Sequence, residues 1–149
     1  MKAFLTASAL VCLTAASALA QNPTFGSVSL RAGFTPDPYR VAITSGGTIN
    51  ANTLSRDCRG WMANTSDFVV NYSAGNFNLS FSSTSSADTT LLVQAPDGRF
   101  YCDDDSGAGL NPIVTIGNPI SGRYTVWVGS YTSGVYAQST LSISELGRQ

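Results

Sequence analysis

Short alternating runs of apolar and polar residues dominate the chain after its first twenty positions. Residues 76–82 place Phe77, Leu79 and Phe81 on one face and polar side chains on the other. Strict alternation of this kind predicts a β-strand with one buried face, which is typical of antiparallel sheets. Residues 67–73 place Phe68, Val70 and Tyr72 on one face, and only a short glycine-containing turn separates the two runs. We therefore predict that they form a β-hairpin.

Further runs follow with turn signals between them. Residues 89–95 are more continuously apolar, which indicates a central strand, and the Pro-Asp-Gly turn at 96–98 leads into a return strand over 99–103. No segment after the first twenty residues has the 3.6-residue apolar period of a helix. The pattern predicts an all-β protein, a single antiparallel, jelly-roll-like β-sandwich. The other predicted strands cover residues 25–30, 39–43, 113–116, 123–131 and 135–146.

The first twenty residues predict export. Lys2 precedes an apolar run over residues 4–13, and residues 18–20, Ala-Leu-Ala, form a cleavage site of the signal-peptide type. The apolar run is too short to be a permanent membrane helix. We therefore predict a signal peptide over 1–20 and a periplasmic or secreted mature chain with no membrane span.

Export also changes how the cysteines are interpreted. Cys12 lies in the signal peptide, so Cys58 and Cys102 are the two cysteines of the mature chain. In an oxidising compartment a pair of this kind is expected to form a disulfide. The alternative is two free thiols.

Charge and composition argue against several functions. The formal net charge is −1 and no basic cluster occurs, so we expect no nucleic-acid partner. The sequence has no histidine, which rules out a Ser-His-Asp triad, and it has no Gly-x-Ser-x-Gly motif. We expect the chain not to be an enzyme.

The order of three motifs resembles a known family. Residues 88–98 fit Asp-x-x-Leu-x-Val-x-x-Pro-Asp-Gly, an acidic turn follows at 103–105, and residues 122–128 fit Gly-x-Tyr-x-Val-x-Val. Over roughly residues 60 to 145, the chain resembles the bacterial pre-peptidase C-terminal domain family. The resemblance implies a non-catalytic β-sandwich of the type appended to secreted proteases. Residues 21–59 would then form an N-terminal extension with the first strands, and residues 60–149 the family-like region.

The acidic turn is a candidate calcium site. Three adjacent carboxylates repel each other, and a divalent cation bound by carboxylate, amide and backbone oxygens would relieve that repulsion. The resemblance points the same way, since related collagen-binding modules bind calcium. The alternatives are a solvated turn whose side chains bond to nearby backbone amides, or pairing of Arg99 with these acids. The predicted calcium ligands are Asp88, Asp103, Asp104, Asp105 and Asn111.

Aromatic residues offer a second candidate site. Trp61, Tyr101 and Tyr131 are predicted to form a binding surface for a protein or a polysaccharide, because aromatic rings supply broad apolar area at low entropic cost. Trp127 alternates with two valines and is predicted to be buried in the core or between the sheets instead.

These observations favour one function over another. The leading prediction is an exported, non-catalytic accessory or binding module that engages a protein or polysaccharide surface, with calcium as a candidate stabiliser. A secreted peptidase is one candidate partner. The alternative is a secreted structural protein that assembles into the envelope or an extracellular matrix.

Overall fold

Eleven β-strands supply nearly all the regular structure of residues 22–147, the part of the chain that this computed structural model describes. The predicted signal peptide lies outside the described residues. None of the helical structure within them is long and apolar enough to span a membrane. The strands are β1 (Ser27–Arg31), β2 (Tyr39–Ser45), β3 (Ile49–Asn50), β4 (Trp61–Met62), β5 (Phe68–Ser73), β6 (Leu79–Ser85), β7 (Thr89–Gln94), β8 (Phe100–Asp103), β9 (Ile113–Ile116), β10 (Gly122–Ser130) and β11 (Ala137–Ser144), with one turn of 3₁₀ helix at Ala51–Thr53.

The strands form two sheets that pack face to face. One sheet has the order β2-β11-β6-β9, and the other runs β1-β5-β10-β7-β8, with the short strands β4 and β3 continuing from the end of β10. This arrangement confirms the predicted all-β sandwich. It is not wholly antiparallel, because β1 pairs with β5 in parallel. The strand predicted over residues 25–30 is confirmed as β1, which lies at the edge of its sheet because β5 is its one partner among the described residues.

The core lies between the two sheets and follows the predicted alternation. The inward side chains of β10 are completely buried against Phe81 of β6 and against Leu141 and Ile143 of β11. Tyr124 lies at the centre: its ring centroid is 5.9 Å from that of Phe81, and its hydroxyl donates to the carbonyl oxygen of Ile120 at 2.8 Å. Burial of this much apolar surface is the main source of the sandwich's stability.

The predicted hairpin of residues 67–73 and 76–82 is wrong. β5 pairs with β1 and β10 in one sheet, whereas β6 pairs with β11 and β9 in the other, so the two strands lie in opposite sheets. A strand with one apolar face buries that face equally well in either arrangement, and alternation cannot tell the two apart. The strand also begins at Leu79, which leaves Phe77 in the connection with half of its surface exposed.

A second, smaller apolar cluster covers the outer face of the seven-stranded sheet. Leu92 of β7 and Trp127 of β10 are directly opposite each other on that face. Residues 51–62 fold over them and bury Ala51, Cys58 and Met62. Trp127 is therefore half-buried on the outside of the sheet and not between the sheets. Its indole Nε1 is buried without a hydrogen-bond partner among the described residues.

Candidate functional site

The segment that covers the outer face is held by one covalent bond and by its own backbone. Cys58 and Cys102 form the predicted disulfide, with 5.5 Å between their Cα atoms, and so tie the segment to strand β8. The amide of Ala51 donates to the carbonyl oxygen of Gly60 at 2.9 Å, which closes the segment at its base. The amide of Asn52 donates to Oδ1 of Asn50 and caps the 3₁₀ turn.

A cleft of about 360 Å³ opens beside this segment, at the end of the sandwich where β10 finishes. Trp61 lines one side from β4, and its backbone pairs with Ser130, the last residue of β10. Tyr131 follows directly and is 47% exposed. A side chain at Gly129 would lie 2.7 Å from the carbonyl oxygen of Trp61, so glycine is required there for β4 to approach. The remaining lining residues are Asn50, Asn52, Cys58, Arg59 and Gly60.

The polar side chains of the cleft are the residues that the sequence did not reveal. Asn50 and Asn52 supply amide groups that both donate and accept hydrogen bonds. Arg59 makes no ion pair within residues 22–147, so its guanidinium is available to a ligand. Arg59 directly follows Cys58 in the sequence and lies two residues before Trp61, whereas no motif distinguished Asn50 or Asn52. The cleft thus combines aromatic faces with hydrogen-bonding groups. This composition suits a ligand that has both polar groups and apolar faces.

The three aromatic residues predicted as one surface do not all meet. Trp61 and Tyr131 line the same cleft, as predicted. Tyr101 lies elsewhere: it packs against the main core on the inner face of β8 and lines a different, smaller depression with Tyr124. Alternation along β8 explains the separation, because Cys102 points outward to the disulfide and Tyr101 therefore points inward.

The acidic turn is close to the cleft but is not assembled as a metal centre. Within residues 22–147 no three His, Cys, Asp or Glu side chains are grouped so that they could hold a metal ion. Both carboxylate oxygens of Asp103 accept hydrogen bonds, from the amide and hydroxyl of Ser106 and from the amide of Ile113 at 2.8 Å. Asn111 accepts from the amide of Ser85 and donates to the carbonyl oxygen of Ala108. These two predicted ligands are engaged in shaping the loop.

The side chains of the other three predicted ligands, Asp88, Asp104 and Asp105, make no such hydrogen bonds within residues 22–147. Burial raises the pKa of Asp88, and the neighbouring carboxylates of Asp105 and Asp104 raise it further. One oxygen of Asp88, Oδ1, is buried and has no hydrogen-bond partner in the part of the chain that the structure describes. The backbone carbonyl of Asp88 accepts the amide of Tyr131 at 3.2 Å, which connects this group to the wall of the cleft. The calcium set stays a prediction.

Arg99 pairs with a different acid from those considered. Its Nε lies 2.6 Å from Oδ2 of Asp97, within the Pro-Asp-Gly turn, so it does not pair with the acids at 103–105. Hydrogen bonds from Arg99 lower the pKa of Asp97. Both side chains belong to the tip of the β7–β8 hairpin, whose turn is present as predicted, with the amide of Gly98 donating to the carbonyl oxygen of Ala95.

One buried carboxyl group replaces a missing backbone partner in the sheet. β5 pairs with β10 as far as Phe68 opposite Val126, and β4 joins β10 only at Ser130. The amide of Val128 lies in the gap and donates to Oδ2 of Asp67 at 2.7 Å. Because Asp67 is 1% exposed, burial raises its pKa to about 7 in spite of that hydrogen bond. Asp67 is thus a structural residue outside the cleft.

Two solved structures have similar folds. The pre-peptidase C-terminal domain of a collagenase from Bacillus anthracis matches with a TM-score of 0.45 and 12% identity, covering 83% of this chain and 98% of that one. PliG of Aeromonas hydrophila, a periplasmic inhibitor of g-type lysozyme, matches with a TM-score of 0.40 and 14% identity, covering 79% and 96%. The first of these two proteins comes from the family that the sequence resembles, and the similarity of both to this chain concerns the fold alone. No family model and no curated protein matches the sequence.

Proposed function

We propose that the mature chain is an exported, non-catalytic binding module that holds a polysaccharide surface in the cleft of Trp61 and Tyr131. The observation that carries this proposal is the composition of the cleft. Two aromatic side chains lie beside two asparagine amides and beside Arg59, which forms no ion pair with any described residue. Aromatic faces pack against the apolar faces of sugar rings, while amide and guanidinium groups bond to hydroxyl oxygens.

The size of the cleft supports a short stretch of a polymer as the ligand. At about 360 Å³ it is near the lower limit of ligand-binding clefts, so it suits a few groups of an extended chain and not a large enclosed cofactor. Weak individual contacts of this kind become useful when many copies of a ligand are displayed on a surface.

A non-catalytic role is supported by the chemistry of the residues around the cleft. The sequence has no histidine to act as a general base. The carboxyl group with the most displaced pKa, Asp67, is committed to the amide of Val128 and does not line the cleft. The disulfide suits an oxidising compartment, and with the predicted signal peptide it supports a periplasmic or secreted location.

Calcium is proposed as a stabiliser of the cleft and not as part of a reaction. Burial and the neighbouring carboxylates of Asp105 and Asp104 raise the pKa of Asp88, so a cation bound beside Asp88 would relieve the repulsion among these carboxylates. Asp88 also holds the amide of Tyr131 through its backbone carbonyl. A bound cation would therefore stiffen one wall of the cleft.

Electrophoresis through gels that contain single soluble polysaccharides tests the proposal. A panel of neutral and acidic polymers is run with the oxidised protein, and at least one polymer is expected to retard it. Trp61→Ala should lose most of the retardation. Tyr136→Ala is the matched control, because Tyr136 is an aromatic residue that is 59% exposed but does not line the cleft.

Two results would contradict the proposal. One is that no polymer in the panel retards the protein; the other is that Trp61→Ala and Tyr136→Ala are retarded equally. Sedimentation of the protein alone separates this function from a structural one. Oligomers that grow with concentration and need no ligand would favour the alternative of a secreted assembly protein.

A further inference from the structure

A second groove, of about 320 Å³, lies at the other end of the sandwich. Tyr72 pairs with Gly122, the first residue of β10, and its hydroxyl donates to Glu145 in the wall of this groove. Trp61 of the cleft pairs with the last residue, Ser130. The nine residues of β10 therefore separate the two sites, a distance of about 26 Å.

Apolar side chains form most of this groove. Phe34, Phe77 and Leu146 line it together with the backbone around Gly33 and Thr35. Phe77 is 50% exposed and Leu146 is 70% exposed, although neither is needed to complete the core. Large apolar side chains that are exposed next to each other in one groove indicate a surface that another molecule covers.

Two carboxylates lie among the apolar side chains. Glu145 accepts hydrogen bonds from the amide of Gly33 at 2.7 Å and from Tyr72, and its own amide donates to Asp37 at 2.9 Å. The remaining oxygen of Asp37, Oδ1, is buried and finds no hydrogen-bond partner among the described residues. Neither carboxylate forms an ion pair with any residue in 22–147. The groove is therefore apolar and negatively charged.

We propose that this groove docks a segment of another protein in which an apolar side chain is adjacent to a lysine or arginine. The apolar side chain covers Phe77 and Leu146, and the cation lies against Glu145, where the negative charge of Asp37 behind it adds to the attraction. A second copy of this chain is a poor occupant, because it would bring the same carboxylates face to face. An acidic polysaccharide is disfavoured for the same reason.

The separation of the two sites gives the module a bridging role. Because the groove and the aromatic cleft lie at opposite ends of β10, one molecule can hold a polysaccharide at one end and a protein at the other. The groove does not depend on the polysaccharide proposal, since it shares no residue with the cleft.

Titration with three capped hexapeptides, followed by calorimetry and by amide chemical shifts, tests the proposal. The peptides are Gly-Lys-Phe-Leu-Lys-Gly, its acidic counterpart with glutamate for lysine, and its polar counterpart with serine for phenylalanine and leucine. Only the first is expected to bind, with shifts at Gly33, Asp37, Phe77 and Leu146. Its affinity should fall as salt is added.

Surface variants separate docking from folding. Phe77→Ser should weaken binding of the first peptide by about tenfold or more, and Glu145→Gln should reduce its salt dependence. Ile120→Ser is the control, because Ile120 is 47% exposed near the same end but does not line the groove. It should leave binding unchanged.

Several outcomes would overturn the proposal. These are equal binding of all three peptides, binding of none, no effect of Phe77→Ser, or a dimer that sediments without peptide and is abolished by Phe77→Ser. Retardation by a polysaccharide is measured separately with Phe77→Ser. The two proposals fail independently, because loss at the groove leaves the cleft intact.

Discussion

The two faces of the seven-stranded sheet are stabilised in different ways. On the inner face, Tyr124, Val126 and Val128 of β10 are completely buried against the opposite sheet. On the outer face, Trp127 of the same strand is only half-buried, under a segment that is fixed by the Cys58–Cys102 disulfide. The inner face forms a core by apolar burial alone, whereas the outer face relies on a covalent link.

This difference indicates how the fold and the candidate function are divided. The sandwich supplies a rigid support that the disulfide does not create. The outer segment, residues 51–62, carries Asn52 and Arg59, and Asn50 directly precedes it. These residues line the cleft, and the disulfide holds the segment in place. A change on the inner face should therefore affect the whole molecule, and a change on the outer face should affect mainly the cleft.

The largest effect is expected in the inner core. Phe81→Ala removes a completely buried ring and should lower the free energy of unfolding by about 4 kcal/mol, because it leaves a cavity beside Tyr124. Phe77→Ala replaces the same residue type at a half-exposed position and should lower the free energy of unfolding by less than about 1 kcal/mol. Urea unfolding measures both. Equal losses would contradict the assignment of the core.

The disulfide should have a smaller effect on stability and a larger one on the cleft. Replacing Cys58 and Cys102 by serine frees a loop with a sequence separation of 44 and should lower the free energy of unfolding by about 3 kcal/mol. Hydrogen exchange should then accelerate at the amide of Ala51 and much less at Val70 in the core. Equal acceleration at both positions would show that the disulfide supports the whole sandwich.

Asp67 should make stability depend on pH. Its pKa is about 7 in the folded protein against 3.8 for an ordinary carboxyl, so the folded state binds more protons between those values. Its contribution to stability is therefore greatest in acid and falls by about 2 kcal/mol from pH 5 to pH 7. Asp67→Asn keeps an acceptor for Val128 and should remove this dependence. If the free energy of unfolding depends on pH in the same way in the unmodified protein and in Asp67→Asn, the role assigned to Asp67 is contradicted.

The acidic turn should show the smallest effect. Excess calcium is predicted to raise the unfolding midpoint by a few degrees, and chelator should reverse the rise. Asp105→Ala should abolish the response without lowering the midpoint in chelator. Asp103→Ala should lower the midpoint under both conditions, because it loses the bonds from Ser106 and Ile113. No response of the unmodified protein would leave the turn as a solvated loop.

Features that depend on neighbours in sequence were predictable from the residues. Alternation revealed the strands, and Pro96-Asp97-Gly98 revealed the β7–β8 turn. Export made the disulfide between Cys58 and Cys102 the expected pairing. The strands and the turn follow from the properties of neighbouring residues, and two cysteines in the mature chain allow one intramolecular pairing.

Features that depend on which strands meet were not predictable. The pattern of residues 67–82 fits a hairpin as well as two strands in opposite sheets, and the structure has the latter. The grouping of Tyr101 with Trp61 failed because the outward disulfide at Cys102 turns Tyr101 to the core. Asp67 became a structural acid because β5 and β4 leave a gap along β10, which no single strand reveals.

The most direct test of the cleft is a map of amide chemical shifts in the oxidised protein, titrated with fragments of whichever polysaccharide retards it. The proposal predicts shifts at Asn50, Asn52, Arg59, Trp61 and Tyr131, with none beside Tyr101, and their loss when the disulfide is removed. Shifts centred on another face, or the same shifts in the serine variant, would contradict it.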